Sequence, residues 1–141
     1  MDYTADITVP KNTTEQNPVV HTIVCGPGIL HEWVRWFPEG GWGYVRFNVW
    51  QGGHQFLPST ETQSYRGNNS TIRKKVYFPL PRAENTIKIK AWNIDDTYDH
   101  TISLEFSVLQ EDILAFGTLM SRVPNLVRKV LLGRNKSKEV N

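Results

Sequence analysis

Four histidines and one acidic loop are the residues best suited to chemistry in this chain. His21, His31, His54 and His100 lie in separate segments, and none has the HxH or HExxH spacing that brings two imidazoles to one metal. Each is therefore expected on a sheet surface or in a turn. No GxSxG, GxGxxG or P-loop occurs, and Gly26-Pro27-Gly28 reads as a turn rather than a phosphate cradle. Oxygen ligands are concentrated in Asn93-Ile94-Asp95-Asp96-Thr97-Tyr98-Asp99. Such a set on a tight turn suits calcium, although the EF-hand spacing and its distal Glu are missing. The competing reading is a hairpin loop whose Asp and Asn side chains bond local backbone amides. An enzyme would need His54, His100 and Asp99 gathered in a deep polar cleft. The expectation is a chain with no catalytic residues, no cofactor and no metal.

The aromatic residues suit recognition better than reaction. Trp33, Trp36, Trp42, Trp50 and Trp92 are five tryptophans in 141 residues, flat apolar groups able to stack on sugars or to anchor protein contacts. In a regular strand Trp33 shares its face with Arg35 and Phe37, whereas Trp36 shares the other face with Val34, so both cannot point into one core. At least one tryptophan is expected at a surface. Trp36 and Trp42 are the candidates for partner contact, with protein preferred over carbohydrate.

Charge is close to balanced at +2 but unevenly distributed. From Arg122 to Lys138 there are six bases, Arg122, Arg128, Lys129, Arg134, Lys136 and Lys138, and no acid. A basic amphipathic segment can meet a membrane, an acidic groove or nucleic acid. Gly117 and Pro124 interrupt it, and no run of eighteen apolar residues occurs, so neither membrane nor nucleic acid is an expected partner. Nothing at the N-terminus reads as a secretion signal. The sequons at Asn12, Asn69 and Asn135 are then read as chance matches. Cys25 is the single cysteine, which rules out an intramolecular disulfide and leaves stability to packing.

The elements that must position these residues are mostly strands. Tyr3, Ala5, Ile7 and Val9 alternate with polar residues, and Pro10 and a polar stretch follow. Residues 1–17 are accordingly read as an extended arm whose Tyr3, Ile7 and Val9 could pair with another subunit. Residues 18–108 hold β-rich runs at 19–25, 29–37, 44–50, 54–57, 71–78, 86–92 and 101–108, punctuated by Gly, Pro and Asn. This pattern predicts an antiparallel β-sandwich of about seven strands, jelly-roll or Ig-like, with a closed barrel as the alternative. Ile102, Leu104, Phe106 and Val108 should face its core. From residue 109 to 133 the period becomes helical, with Leu114, Met120, Val127, Arg128 and Leu131 as candidate contacts. Residues 134–141 are read as a basic flexible tail.

Two segments, Gly52-Gly53-His54-Gln55-Phe56-Leu57-Pro58-Ser59 and Ala91-Trp92-Asn93-Ile94-Asp95-Asp96-Thr97-Tyr98-Asp99-His100-Thr101, resemble a family of small, mostly uncharacterised β-sandwich proteins of tailed bacteriophages. The resemblance spans roughly residues 20 to 108 and carries no catalytic motif. It implies a virion structural protein, foremost a capsid decoration or cement protein, with capsid or other virion proteins as partners and a homo-oligomeric state. A tail or vertex protein and a carbohydrate-binding module using exposed tryptophans are the alternatives.

Overall fold

The computed structural model describes residues 1–110. It contains nine strands: β1 (Asp2–Val9), β2 (Val19–Cys25), β3 (Gly28–Phe37), β4 (Val45–Gln51), β5 (His54–Leu57), β6 (Tyr65–Arg66), β7 (Ser70–Leu80), β8 (Asn85–Asn93) and β9 (His100–Gln110). They form two antiparallel sheets, β1-β9-β3-β7 and β2-β8-β4-β5, with β6 also paired to β4. Apart from the two-residue β6, the pairing is nested. The first strand pairs with the last, β2 with β8, β3 with β7 and β4 with β5, as if one long hairpin had been bent across two sheets.

The two inner faces share one apolar core. Ala5, Ile7, Leu30, Trp33, Phe37, Ile102, Leu104, Phe106 and Val108 come from the first sheet, and Ile23, Val45, Phe47, Val49, Ile87, Ile89 and Ala91 from the second. This is a β-sandwich-like arrangement, and it follows from alternation: Ile102, Leu104, Phe106 and Val108 are buried while Thr101, Ser103, Glu105 and Ser107 between them are half-buried. A bulge modifies the rule in β3. Leu30 faces Val108 and Glu32 faces Ser107, so His31 is an extra residue, and beyond it Trp33, Arg35 and Phe37 take the inward positions. At the start of β3, Gly28 has φ +155°, and a Cβ there would lie 1.9 Å from the Leu109 carbonyl oxygen. Only glycine admits that approach.

The N-terminal arm is not an arm. β1 pairs with β9 over its whole length, from Asp2 with Ser107 to Val9 with His100, and Ala5, Ile7 and Val9 are buried in the common core. Ile7 and Val9 are thus core residues rather than partner contacts, and Tyr3 is half-buried against that core, its hydroxyl accepting the Gly26 amide at 3.0 Å. The polar stretch after Pro10 looks like a tether in sequence, yet it is pinned. The Asn12 amide donates to the Asp95 carbonyl at 2.8 Å, and Thr13 and Asn93 exchange two backbone bonds. Its polarity serves the crossing from one sheet to the other. The helical segment read from residue 109 starts too early, because Leu109 and Gln110 still pair with β3 as the end of β9; the remainder and the tail, with Leu114, Met120, Val127, Arg128 and Leu131, lie outside the described residues.

Two outcomes are expected. Phe106 is fully buried, and Phe106→Ala should cost about 3–5 kcal/mol, the range for losing a large core aromatic. A urea titration showing wild-type stability would remove Phe106 from the core. Cys25 is buried, which pushes its thiol up to about 11 and leaves it protonated and unreactive at neutral pH. Deleting residues 1–9 should lower the melting temperature and make Cys25 reactive toward a thiol reagent. Unchanged melting and an inert thiol would restore the arm.

Candidate functional site

Two loops at one end of the sandwich gather three exposed aromatic groups, Trp42, Tyr44 and Tyr98. The first links β3 to β4. Its backbone turns through Gly40 (φ 87°), Trp42 (φ 45°) and Gly43 (φ 78°), and a tryptophan in the left-handed region is an uncommon, strained arrangement that must be held by its surroundings. The holding bonds are present. The Trp42 amide donates to Asn68 Oδ1 at 3.1 Å, the Tyr44 amide to the Gly41 carbonyl at 2.7 Å, and the Gly43 amide to the Gly67 carbonyl at 3.2 Å. The result presents Trp42 73% exposed beside Tyr44.

The second loop, 94–99, joins β8 to β9 and is built on its acids. Asn93 Oδ1 accepts the Asp95 amide at 3.0 Å, and Asn93 Nδ2 donates to the carbonyls of Val9 and Tyr98 at 3.2 and 2.9 Å. Asp95 Oδ1 accepts the amides of Thr97 and Tyr98, at 2.8 and 3.4 Å, while Oδ2 lies 2.8 Å from His100 Nε2. Asp99 Oδ1 accepts the Lys11 amide. Asp95 bonds the loop's own backbone, as the second of the two sequence readings has it, while Asp99 reaches across to the segment after β1. Among the described residues no group of three or more His, Cys, Asp or Glu is placed to hold a metal. The framework pushes Ile94 and Tyr98 outward, Tyr98 to 67% exposure, and the Ile94 amide bonds the Tyr44 carbonyl at 3.1 Å, tying the two loops together.

Trp42 and Tyr44 form the ridge between two open grooves. One, about 480 Å³, is walled by Ile94, Arg46 and Arg66. The other, about 620 Å³, is walled by Glu39, Tyr98 and Asp95 to His100. The platform is thus aromatic along its crest, basic on one flank and acidic on the other. Such a surface binds by apolar burial and charge matching. The Asp95–His100 pair sits in the wall of the acidic groove with both side chains nearly buried, and it acts as a pin for the loop. His54 is exposed on β5 and lines neither groove, so His54, His100 and Asp99 are not gathered.

The tryptophans divide as strand parity demands. Trp33 is buried and Trp36 is 40% exposed, on the outer face of the first sheet between Thr71 and Ser103. Trp36 therefore does not share a surface groove with Trp42. Trp92 is buried, and Trp50 is capped by Lys90 Nζ 4.0 Å from its ring centroid. Tyr44, Ile94 and Tyr98 escaped the sequence reading. The signal for two of them was an Ile and a Tyr inside an otherwise polar loop, which attention to its acids concealed.

Hydrogen bonds from the Thr97 amide, and then from the His100 ring, hold the Asp95 carboxyl below its usual value of 3.8. A depressed native pKa means a stabilisation fully present above the unfolded value and lost as pH falls through the native one. Asp95→Asn should therefore be less stable than wild type at neutral pH, with the gap narrowing as pH falls below the ordinary carboxylate range and closing once the native carboxyl is protonated. Urea midpoints whose difference is independent of pH would show that the carboxylate charge contributes nothing.

Among known proteins, no family model matches the chain and no curated protein matches it.

Proposed function

We propose that this chain is a non-enzymatic binding component of a virion, acting foremost as a capsid decoration protein that docks on neighbouring protein through the Trp42–Tyr44–Ile94–Tyr98 platform. The observation that carries the binding role is this exposed cluster, fixed by strained backbone and flanked by Arg46 and Arg66. Trp, Tyr and Arg are the residues that concentrate binding energy at protein interfaces. An exposed Ile beside them favours protein over sugar, because an aliphatic side chain offers no flat face for stacking.

The virion assignment rests on the resemblance to phage β-proteins and gains support from topology. Nested pairing over two four-membered orders, β1-β9-β3-β7 and β2-β8-β4-β5, corresponds to a jelly roll, an architecture used by viral capsid and lectin domains. The support is by analogy of fold. On this reading the chain works as a homo-oligomer among capsid proteins, and a tail or vertex position is the alternative within the same class.

The Trp42→Ala, Tyr98→Ala double variant should melt like wild type, since both side chains point to solvent, and should lose co-sedimentation with purified particles of the encoding virus. Mass spectrometry of those particles should find the chain at a copy number near that of the major shell protein. A few copies per particle would favour a tail or vertex position. Absence from particles, or retention of the double variant on them, would reject the proposal, and saturable binding on a glycan array lost with Trp42 would move the platform to carbohydrate.

A further inference from the structure

Arg35 is the one lysine or arginine among the buried described residues, at 8% exposure. It reaches that position by parity, because the bulge in β3 gives Trp33, Arg35 and Phe37 the inward face. Aromatic rings surround its guanidinium: Tyr65 at 4.2 Å from its central carbon to ring centroid, Trp33 at 5.4 Å and Phe37 at 5.8 Å. Rings satisfy the charge in part but offer no in-plane acceptor for the N–H groups. No carboxylate accompanies it: the ion pairs among the described residues are Arg73–Glu32 and His100–Asp95. Nε and Nη1 of Arg35 and Nε1 of Trp33 are buried without a hydrogen-bond partner among the described residues. All three are donors, and the guanidinium carbon lies 5.4 Å from the Trp33 ring centroid; Nε and Nη1 face opposite edges of the guanidinium, so one carboxylate can accept from one edge of Arg35 together with the indole N–H.

These donors lie beside the sandwich's unsealed seam. On the β1 side the inward residues Ala5, Ile7 and Val9 are buried. On the β7 side Ile72, opposite Arg35, is only half-buried and Lys74, opposite Trp33, is exposed. A stack of Phe56 on Phe78, centroids 4.1 Å apart, closes one end of this seam. Among the described residues β7 is an edge strand, paired on one side to β3. The side of this eleven-residue strand turned away from β3 carries backbone groups unpaired among the described residues, with Arg73, Lys74 and Lys75 exposed along it.

We propose that the seam between β7 and β6 binds an acidic, extended segment of a partner protein. The segment adds a strand to β7 and inserts one carboxylate between the Arg35 and Trp33 donors. Ile72 and Lys74 form the rim that swings aside to admit it. Charge selects this occupant over two others. A second copy pairing β7 to β7 would set Arg73, Lys74 and Lys75 against themselves. The chain's own residues 122–138 carry six bases and no acid. The site is separate from the Trp42 platform, and the two can fail independently.

The test uses the full chain, labelled with nitrogen-15, and the blocked peptide acetyl-Val-Glu-Val-Glu-Val-Glu-Val-amide. The Trp33 indole and Arg35 Nε resonances are expected to shift saturably, with slower amide exchange along β7. Arg35→Met should remove the indole shift and weaken binding by at least about tenfold, while Trp42→Ala leaves it unchanged. Met fills the same apolar surroundings, so the variant is expected to fold; if it does not, the wild-type resonances alone decide. Any of four results overturns the proposal: no shift at Trp33 or Arg35, equal shifts with the Lys-for-Glu peptide, saturation by sodium acetate alone, or β7 protection that grows with protein concentration without peptide.

Discussion

The packing of Trp33 is the contact on which the two sheets depend. Its indole meets Phe106 from β9 at 6.5 Å between centroids, Phe47 from β4 at 6.2 Å edge-on, and Tyr65 from β6 at 4.8 Å. One side chain thereby fixes the third strand, the last strand and two strands of the opposite sheet. Aromatic pairs contribute about 0.5–1.5 kcal/mol each beyond their buried area. Because Phe106 also faces Tyr3 across the β1–β9 ladder, the same column reaches the first strand. The nested pairing joins residues about a hundred positions apart, and such contacts form late and only cooperatively.

A scaffold held this way can carry strain elsewhere. Trp42 at positive φ and the side-chain-bonded loop at 94–99 are conformations that the chain would not adopt alone. They persist because β3, β4, β8 and β9 deliver both loop ends at fixed positions, and because Asn68, Asn93 and Asp95 supply the missing backbone partners. Exposed aromatics on rigid loops lose little conformational freedom on binding. This pre-organisation is what distinguishes a docking surface from incidental exposure.

Much of the sandwich was legible because alternation maps directly onto burial. β9 and the run at 19–25 could be read to within two residues of their observed bounds, and parity separated Trp33 from Trp36 before any coordinates. The same parity set Arg35 on the face of Trp33 and Phe37, yet its burial does not follow from that, because an arginine reads as polar. What stayed hidden was pairing. Nothing local in Tyr3 to Val9 tells whether its partner is β9 or another molecule, since period two specifies a face and not a neighbour. The platform was visible only through Trp42. Tyr44, Ile94 and Tyr98 become one surface only when two loops fifty residues apart are brought side by side.

The sheet edges show how such a molecule avoids pairing indiscriminately. Two open sheets leave four edges, and unpaired ladders invite other strands. The edge of β5 and β6 is short, four and two residues long. β7, the long one, bears Arg73, Lys74 and Lys75 in its middle and Pro79 near its end, and both devices oppose self-pairing. β1 lies close to β2 where the sandwich closes on that side, and the Tyr3 hydroxyl bonds the Gly26 amide just past the end of β2. The residual liability is the outer face of β2, where Val20 and Val24 are each about half exposed and alternate with Thr22 opposite Lys88. Charge on β7 and length on β5 and β6 therefore act as filters. They oppose a second copy of the same edge but not a strand of opposite charge, so the features that limit self-pairing are also the ones that shape the partner proposed for β7.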